Sequence, residues 1–98
     1  IKKNKPNASV IFTLSPIPLM ATFRPQSCIT ANSVSKSILR VSLDNIISKY
    51  NKNEDIYYFP SFEIVKDYFI DPFMDDNRHL KKESILEIMK LFEKNYCF

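Results

Sequence analysis

Two short apolar runs, placed on either side of a long helical pattern, limit the fold of this chain more than any other feature. Residues 9–14 are Ser-Val-Ile-Phe-Thr-Leu and stop at Ser15-Pro16, and residues 55–59 are Asp-Ile-Tyr-Tyr-Phe and stop at Pro60. Both are rich in β-branched and aromatic residues, so each predicts a strand. The first run is continuously apolar, which is typical of a parallel sheet covered on both faces. Two strands joined by a long crossover that contains a helix predict a right-handed βαβ unit with parallel strands.

The first part of the crossover is a loop. Pro16, Pro18 and Pro25 argue against both a helix and a central strand over residues 15–30. This loop leaves the C-terminal end of the first predicted strand, and ligand sites of open α/β sheets lie at that edge. A functional loop, a lid and a passive crossover are all compatible with the pattern.

The second part of the crossover is the clearest helix of the chain, from Ala31 to about Asn51. Apolar residues recur at helical spacing along one stripe: Val34, Ile38, Leu39, Leu43, Ile46, Ile47 and Tyr50. Asn32 or Ser33 is the expected N-cap. A polar turn is expected over residues 51–54, before the second strand.

The last third of the chain predicts two further helices. Ser61 is expected to cap a short helix that ends near Phe69, with Glu63 in its first turn, where a carboxylate suits the helix dipole. Asp71-Pro72 ends this helix. A final helix is expected from about residue 81 to 96, with an apolar face that packs on the sheet.

The composition excludes several classes of site. The chain of 98 residues contains no glycine, so phosphate-binding glycine loops and glycine-flanked nucleophile elbows are excluded within it. Cys28 and Cys97 lack metal-ligand spacing, so a zinc site is not expected, and their expected state is that of reduced thiols in a cytoplasmic protein. The net charge of +3 comes from lysines interleaved with acids, which favours solvated surface over a nucleic-acid interface. No apolar run reaches the roughly 18 residues that a membrane span requires.

The segment Met74-Asp75-Asp76-Asn77-Arg78-His79 contains the only histidine. A carboxylate three residues before an imidazole can bond one ring nitrogen and leave the other free to accept a proton from a nucleophile. Asp76 is the expected orienting residue and Asp75 the alternative. A surface or capping histidine is the competing interpretation.

Four separated blocks of the sequence resemble the C-terminal half of GSCFA-domain proteins, over roughly residues 9–95. In chain order the blocks are Ile11-Phe12-Thr13-Leu14-Ser15-Pro16-Ile17-Pro18-Leu19, Thr30-Ala31-Asn32-Ser33-Val34-Ser35-Lys36-Ser37-Ile38-Leu39-Arg40, Tyr58-Phe59-Pro60-Ser61-Phe62-Glu63-Ile64 and Asp75-Asp76-Asn77-Arg78-His79. GSCFA domains are in turn similar to SGNH-type hydrolases. The resemblance implies a three-layer α/β/α, flavodoxin-like fold with a parallel sheet, of which residues 1–98 would be the C-terminal portion of a single domain.

The resemblance also implies a function. Asp76-Asn77-Arg78-His79 matches the family's last motif, Asp-x-x-His. The two middle residues of this motif serve only to space the Asp and the His. The nucleophilic Ser of the first motif has no counterpart here, so it is expected in an upstream part of the same polypeptide, and the chain starts without Met. Leu80 departs from the family pattern, because many relatives place Pro after the histidine.

The expected activity is ester hydrolysis or acyl transfer on small-molecule or carbohydrate O-acyl esters, with Asp76 and His79 as catalytic residues. The candidate substrate-binding residues are Ser15, Asn32, Lys36 and Glu63. The alternative is a non-catalytic carbohydrate- or partner-binding module that keeps the same fold. Neither hypothesis involves a metal, a cofactor, nucleic acid or a membrane.

Overall fold

A computed structural model describes residue 1 and residues 3–50 and 55–97 of the chain. In chain order the elements are strand β1 (Val10–Thr13), helix α1 (Cys28–Tyr50), strand β2 (Ile56–Phe59), a single helical turn α2 (Ser61–Glu63) that continues as a π-helix (Ile64–Tyr68), and helix α3 (Lys82–Tyr96). The predicted turn at residues 51–54, and the predicted helix end at Asn51, lie outside the described residues.

The two strands pair in parallel, with Val10 opposite Ile56 and Thr13 opposite Phe59. This confirms the predicted βαβ arrangement and the α/β class. The pairing brings the carboxyl ends of both strands to one edge of the sheet. The loop after β1 and the helical segment after β2 therefore begin side by side.

Ser61 joins these two strand ends, which is not its predicted role. It is the first residue of α2 and makes no side-chain capping bond. Its buried hydroxyl instead donates to the Leu14 carbonyl oxygen at 3.0 Å, and the Thr13 hydroxyl donates to the Phe59 carbonyl oxygen at 2.7 Å. The prediction of Ser61 as an N-cap was wrong, because its hydroxyl is hydrogen-bonded to Leu14, a residue distant in sequence, and not to the N-terminus of its own helix.

Helix α1 begins at Cys28, earlier than the sequence predicted. The N-cap is Ser27, whose Oγ accepts the backbone N–H of Thr30 at 3.2 Å, so Asn32 and Ser33 lie inside the helix. The predicted start was wrong because the prolines exclude a helix only as far as Pro25. Pro25 precedes the cap, so residues 28–30 are free to be helical.

Two non-glycine residues adopt left-handed backbone conformations, Asp71 with φ 49° and Asn77 with φ 53°. Asn and Asp are the non-glycine types that tolerate this region best. In a chain without glycine, these residue types allow the backbone to reverse at both positions. Asn77 also donates its N–H to the Met74 carbonyl oxygen at 2.8 Å, which closes a tight turn.

The core is small. Its buried apolar residues are Leu14, Ala31, Ile56, Phe59 and Val65. Helix α3 covers this core as expected, since the Phe92 and Tyr96 rings contact the Phe59 ring edge-on with centroid distances of 5.3 and 6.0 Å.

Helix α1 differs from α3, because only Ala31 is buried within it, although all of α1 is described. The predicted apolar stripe of α1 stays largely exposed, with Ile38 59% and Leu39 48% accessible. The sheet is therefore not covered as completely as the sequence predicted. None of the helices in the described ranges combines the length and apolarity needed to cross a bilayer.

Candidate functional site

The predicted acidic segment forms a closed loop between the π-helix and α3. At its base the Met74 N–H donates to the His79 carbonyl oxygen at 2.7 Å, and the Lys81 N–H donates to the Pro72 carbonyl oxygen at 2.9 Å. Neither bond uses the N–H of Leu80. The departure from the expected proline at Leu80 therefore does not affect these two bonds.

The start of α3 anchors this loop. Ser84 donates its hydroxyl to the Pro72 carbonyl oxygen at 3.1 Å, and the Lys81 ammonium lies 2.5 Å from an Asp71 carboxylate oxygen. The loop is thus fixed at both ends to the helix that packs on Phe59, and its tip holds Asp76 and His79.

Asp76 and His79 form the predicted pair. His79 Nδ1 lies 2.5 Å from Asp76 Oδ2, while Asp76 Oδ1 accepts the backbone N–H groups of Arg78 and His79, both at 3.0 Å. The carboxylate therefore shapes the loop with one oxygen and orients the imidazole with the other. No hydrogen bond of the Asp75 side chain occurs among the described residues, so the geometry selects Asp76 over the alternative orienter.

The second ring nitrogen has a partner that the sequence did not predict. Arg78 Nη1 lies 3.2 Å from His79 Nε2. A guanidinium can only donate, so Nε2 acts as the acceptor and the ring proton resides on Nδ1. This is the tautomer that a general base requires.

The charge state of Asp76 suits this arrangement. The hydrogen bond from His79, together with the two backbone N–H groups, lowers the pKa of Asp76 to about 2. The carboxylate is therefore ionised at neutral pH and can stabilise an imidazolium formed during proton transfer.

A cleft of about 720 Å³ opens beside the loop that follows β1, a volume typical of small-molecule sites. Its walls come from that loop, α1, the segment after β2 and the base of the acidic loop: Pro16, Pro18, Ile29, Asn32, Ser33, Lys36, Ser37, Arg40, Val41, Phe62, Val65, Lys66, Phe69, Pro72 and Phe73. Asp76 and His79 are not among these lining residues, and no hydrogen bond in the described ranges joins them to residues 15–20. The sequence also predicts that this pair lies at the C-terminal edge of the sheet and faces that loop, since both strands end there, and this stays a prediction.

Three of the four candidate substrate-binding residues hold the loop after β1 against α1. Lys36 Nζ donates to the Ser15 carbonyl oxygen at 2.6 Å, and Asn32 Oδ1 accepts the Leu19 N–H at 3.0 Å. Partial burial lowers the pKa of Lys36. Asn32 and Lys36 line the cleft, whereas Ser15 is not among the lining residues and contributes only the backbone oxygen that Lys36 binds.

The fourth candidate, Glu63, belongs to a different cluster. Its carboxylate accepts Arg40 Nε at 2.6 Å and the Tyr58 hydroxyl at 2.8 Å, and the Arg40 guanidinium lies 4.1 Å from the centre of the Tyr58 ring. Partial burial alone would raise the pKa of Glu63, but the bonds from Tyr58 and Arg40 outweigh it and lower this pKa. Sequence reasoning did not find this cluster, because Arg40 and Glu63 are distant in the chain and no local spacing links them.

Two further observations concern other kinds of site. In the described part of the chain, no three His, Cys, Asp or Glu side chains lie close enough to hold a metal ion. Cys28 and Cys97 are both free thiols. Cys28 points its Sγ at the Leu19 carbonyl oxygen, 3.2 Å away, and so adds another contact between α1 and the preceding loop.

Comparison with known proteins gives one match. A model described as the GSCFA family matches residues 1–92, which is most of the chain and includes all four sequence blocks and the Asp76–His79 loop. No curated protein and no solved structure matches the chain.

Proposed function

The chain belongs to the GSCFA family, and we propose that it supplies the general base and the orienting carboxylate of an SGNH-like ester hydrolase or acyltransferase. The observation that carries this proposal is the bond from His79 Nδ1 to Asp76 Oδ2, with Nε2 in the acceptor state. This arrangement has the tautomer, the orientation and the negative charge that a serine hydrolase needs around its base.

The reaction proceeds in two acyl-transfer steps. His79 Nε2 removes the proton from a serine hydroxyl as the serine oxygen bonds to the ester carbonyl carbon, and Asp76 stabilises the resulting imidazolium. The imidazolium then returns its proton to the departing alcohol as the carbon–oxygen bond breaks, which leaves an acyl-serine. Water or an acceptor alcohol, deprotonated by Nε2, then bonds to the acyl carbon, and the imidazolium returns this proton to the serine oxygen as the acyl–serine bond breaks.

The nucleophilic serine is not supplied by the described residues around His79, where Arg78 Nη1 is the hydrogen-bond partner of Nε2. We place it in an upstream part of the same polypeptide, as the family resemblance implies. Its hydroxyl must displace the Arg78 group from Nε2 when the site assembles. The substrates are O-acyl esters, with acylated carbohydrates as the first class to examine, and the free thiols suit a cytoplasmic protein.

The direct test is His79→Ala in the full-length protein. Hydrolysis of a short 4-nitrophenyl ester should fall by about a hundred- to ten-thousand-fold, because the general base is lost. Added imidazole should restore part of the rate, since a small base can occupy the space that the substitution creates. The thermal unfolding curve should not change, because the His79 side chain is 58% exposed. An unchanged rate would exclude the catalytic role.

A second candidate is a carbohydrate- or partner-binding module that performs no chemistry. The lining of the cleft favours this binding module for two reasons. The walls combine aromatic and aliphatic side chains with Asn32, Lys36 and Arg40, and they do not include the Asp76–His79 pair. In that case Lys36→Ala should weaken sugar binding, measured by titration calorimetry, while His79→Ala leaves it unchanged.

A further inference from the structure

The Arg78 guanidinium lies beside His79 Nε2, the nitrogen that would accept the proton, and it has no anionic partner among the described residues. Its Nη1 contacts Nε2 of the imidazole, and it takes part in none of the ion pairs between described residues. Its Nε is buried and has no hydrogen-bond partner. The Asp-x-x-His motif does not specify a residue type at this position. The structure nevertheless brings the Arg78 guanidinium to the one ring nitrogen that performs the proposed chemistry.

We propose that Arg78 gives the site a preference for esters that carry an anionic group, such as a carboxylate, near the scissile bond. This inference rests on the proposed function. A guanidinium offers several N–H donors in a planar fork, and it pairs with a carboxylate through two parallel bonds. An anion bound to Arg78 would lie beside His79, which places the attached ester within reach of the base.

The contact with Nε2 gives Arg78 a second role before substrate arrives. While Nη1 donates to Nε2, the ring proton stays on Nδ1 and the imidazole keeps the orientation set by Asp76. The incoming nucleophile replaces Nη1 on Nε2, and the guanidinium then becomes available to the substrate. Arg78 is therefore a positioning residue in the free site and a specificity residue in the substrate complex.

The test compares two acetate esters in the full-length protein, 4-acetoxybenzoate, which is anionic, and its neutral methyl ester. The measured quantity is the ratio of their kcat/KM values, and the intrinsic difference in reactivity cancels when this ratio is compared between variants. Arg78→Ala should lower the anionic-to-neutral ratio by about ten- to a hundredfold, the range expected for a hydrogen-bonded charged group. Arg78→Lys should give an intermediate ratio, because it keeps the charge but loses the fork.

Arg24→Ala is the matched control, since it makes the same charge change at an exposed residue of the loop after β1. Its ratio should equal that of the unmodified protein. An unchanged ratio in Arg78→Ala, or an equal drop in Arg24→Ala, would overturn the inference and leave the proposed function intact, provided that the neutral ester is still hydrolysed in a His79-dependent way. If neither ester is hydrolysed, the proposed function fails and the inference fails with it.

The division of the rate change between KM and kcat separates recognition from mere structural support. Arg78→Ala should raise the KM of the anionic ester more than it lowers kcat, and Arg78→Lys should recover part of this KM, because the anion binds to the cation at residue 78. A variant that only loosened the loop would lower kcat for both esters alike, and that result would contradict the role of Arg78 in recognition.

Discussion

Two charged clusters of this molecule are built in opposite ways. The Asp76–His79 pair is formed by four consecutive residues of one loop, and its side chains are 47% and 58% exposed. The Glu63 cluster draws Arg40 from α1, Tyr58 from β2 and Glu63 from α2, and its ion pair is less exposed, at 35% for Arg40 and 29% for Glu63.

Under the proposed function, this difference separates a site that performs chemistry from one that supports the fold. The loop pair leaves the imidazole accessible to a substrate, and its backbone bonds make the geometry independent of distant packing. The Glu63 cluster joins three elements through Arg40 Nε and the Tyr58 hydroxyl, and a partly buried charge that lost its partner there would be costly. Substitutions in the loop should therefore affect activity, and substitutions in the cluster should affect stability.

The largest expected effect concerns Asp76→Asn in the full-length protein. The amide removes the negative charge that stabilises the imidazolium and favours the wrong ring tautomer, so ester hydrolysis should fall by about a hundred- to ten-thousand-fold. Asp75→Asn is the matched control and should keep nearly full activity. Equal losses in the two variants would mean that the loop contributes only general negative charge.

The pH behaviour of Asp76 follows from its pKa, which is lowered from 3.8 to about 2. A lowered pKa means that the ionised, paired form is favoured above the ordinary value and is lost as the pH falls through the lowered one. The side-chain carboxyl carbon signal of Asp76 in an NMR titration should therefore keep its ionised position down to about pH 4 and change only below it. A change centred well above pH 4 in the Asp76 carboxyl signal would contradict the bond.

A smaller effect is expected for Glu63→Gln, which should lower the free energy of unfolding by about 2 kcal/mol, because Arg40 loses its ionic partner. Ester hydrolysis should stay within about twofold of the original rate. Because the pKa of Glu63 is lowered in the folded protein, this contribution is fully present above the ordinary value of 4.5 and is lost as the pH falls from there through the lowered value. Denaturant unfolding of the unmodified protein and of Glu63→Gln, at neutral and at acidic pH, would measure the loss of stability and its pH dependence. A loss that is equal at the two pH values would contradict the ion pair.

The smallest expected effect is that of Tyr58→Phe, at about 1 kcal/mol of unfolding free energy. The substitution removes the hydroxyl that donates to Glu63 but keeps the ring on which Arg40 lies. A double-mutant cycle with Glu63→Gln would measure the coupling of the two residues. Strictly additive effects would show that the hydroxyl does not contribute through the carboxylate.

Features set by neighbouring residues were predictable from the sequence. The strand segments, the last helix and the Asp76–His79 bond all depend on local patterns: apolar runs stopped by proline, helical spacing, and a carboxylate three residues before the imidazole. Their parallel pairing also followed, because a crossover that contains a helix favours only one arrangement. Family membership was indicated by the four sequence blocks and confirmed over residues 1–92.

Features set by distant residues required the tertiary structure. The Ser61 hydroxyl could cap its own helix or bond Leu14, and only the pairing of the strands decided between them. Glu63 met Arg40 and Tyr58 because three elements converge there. In each case the side chain had several possible partners of similar local energy, and the fold selected one of them by bringing it within hydrogen-bond distance.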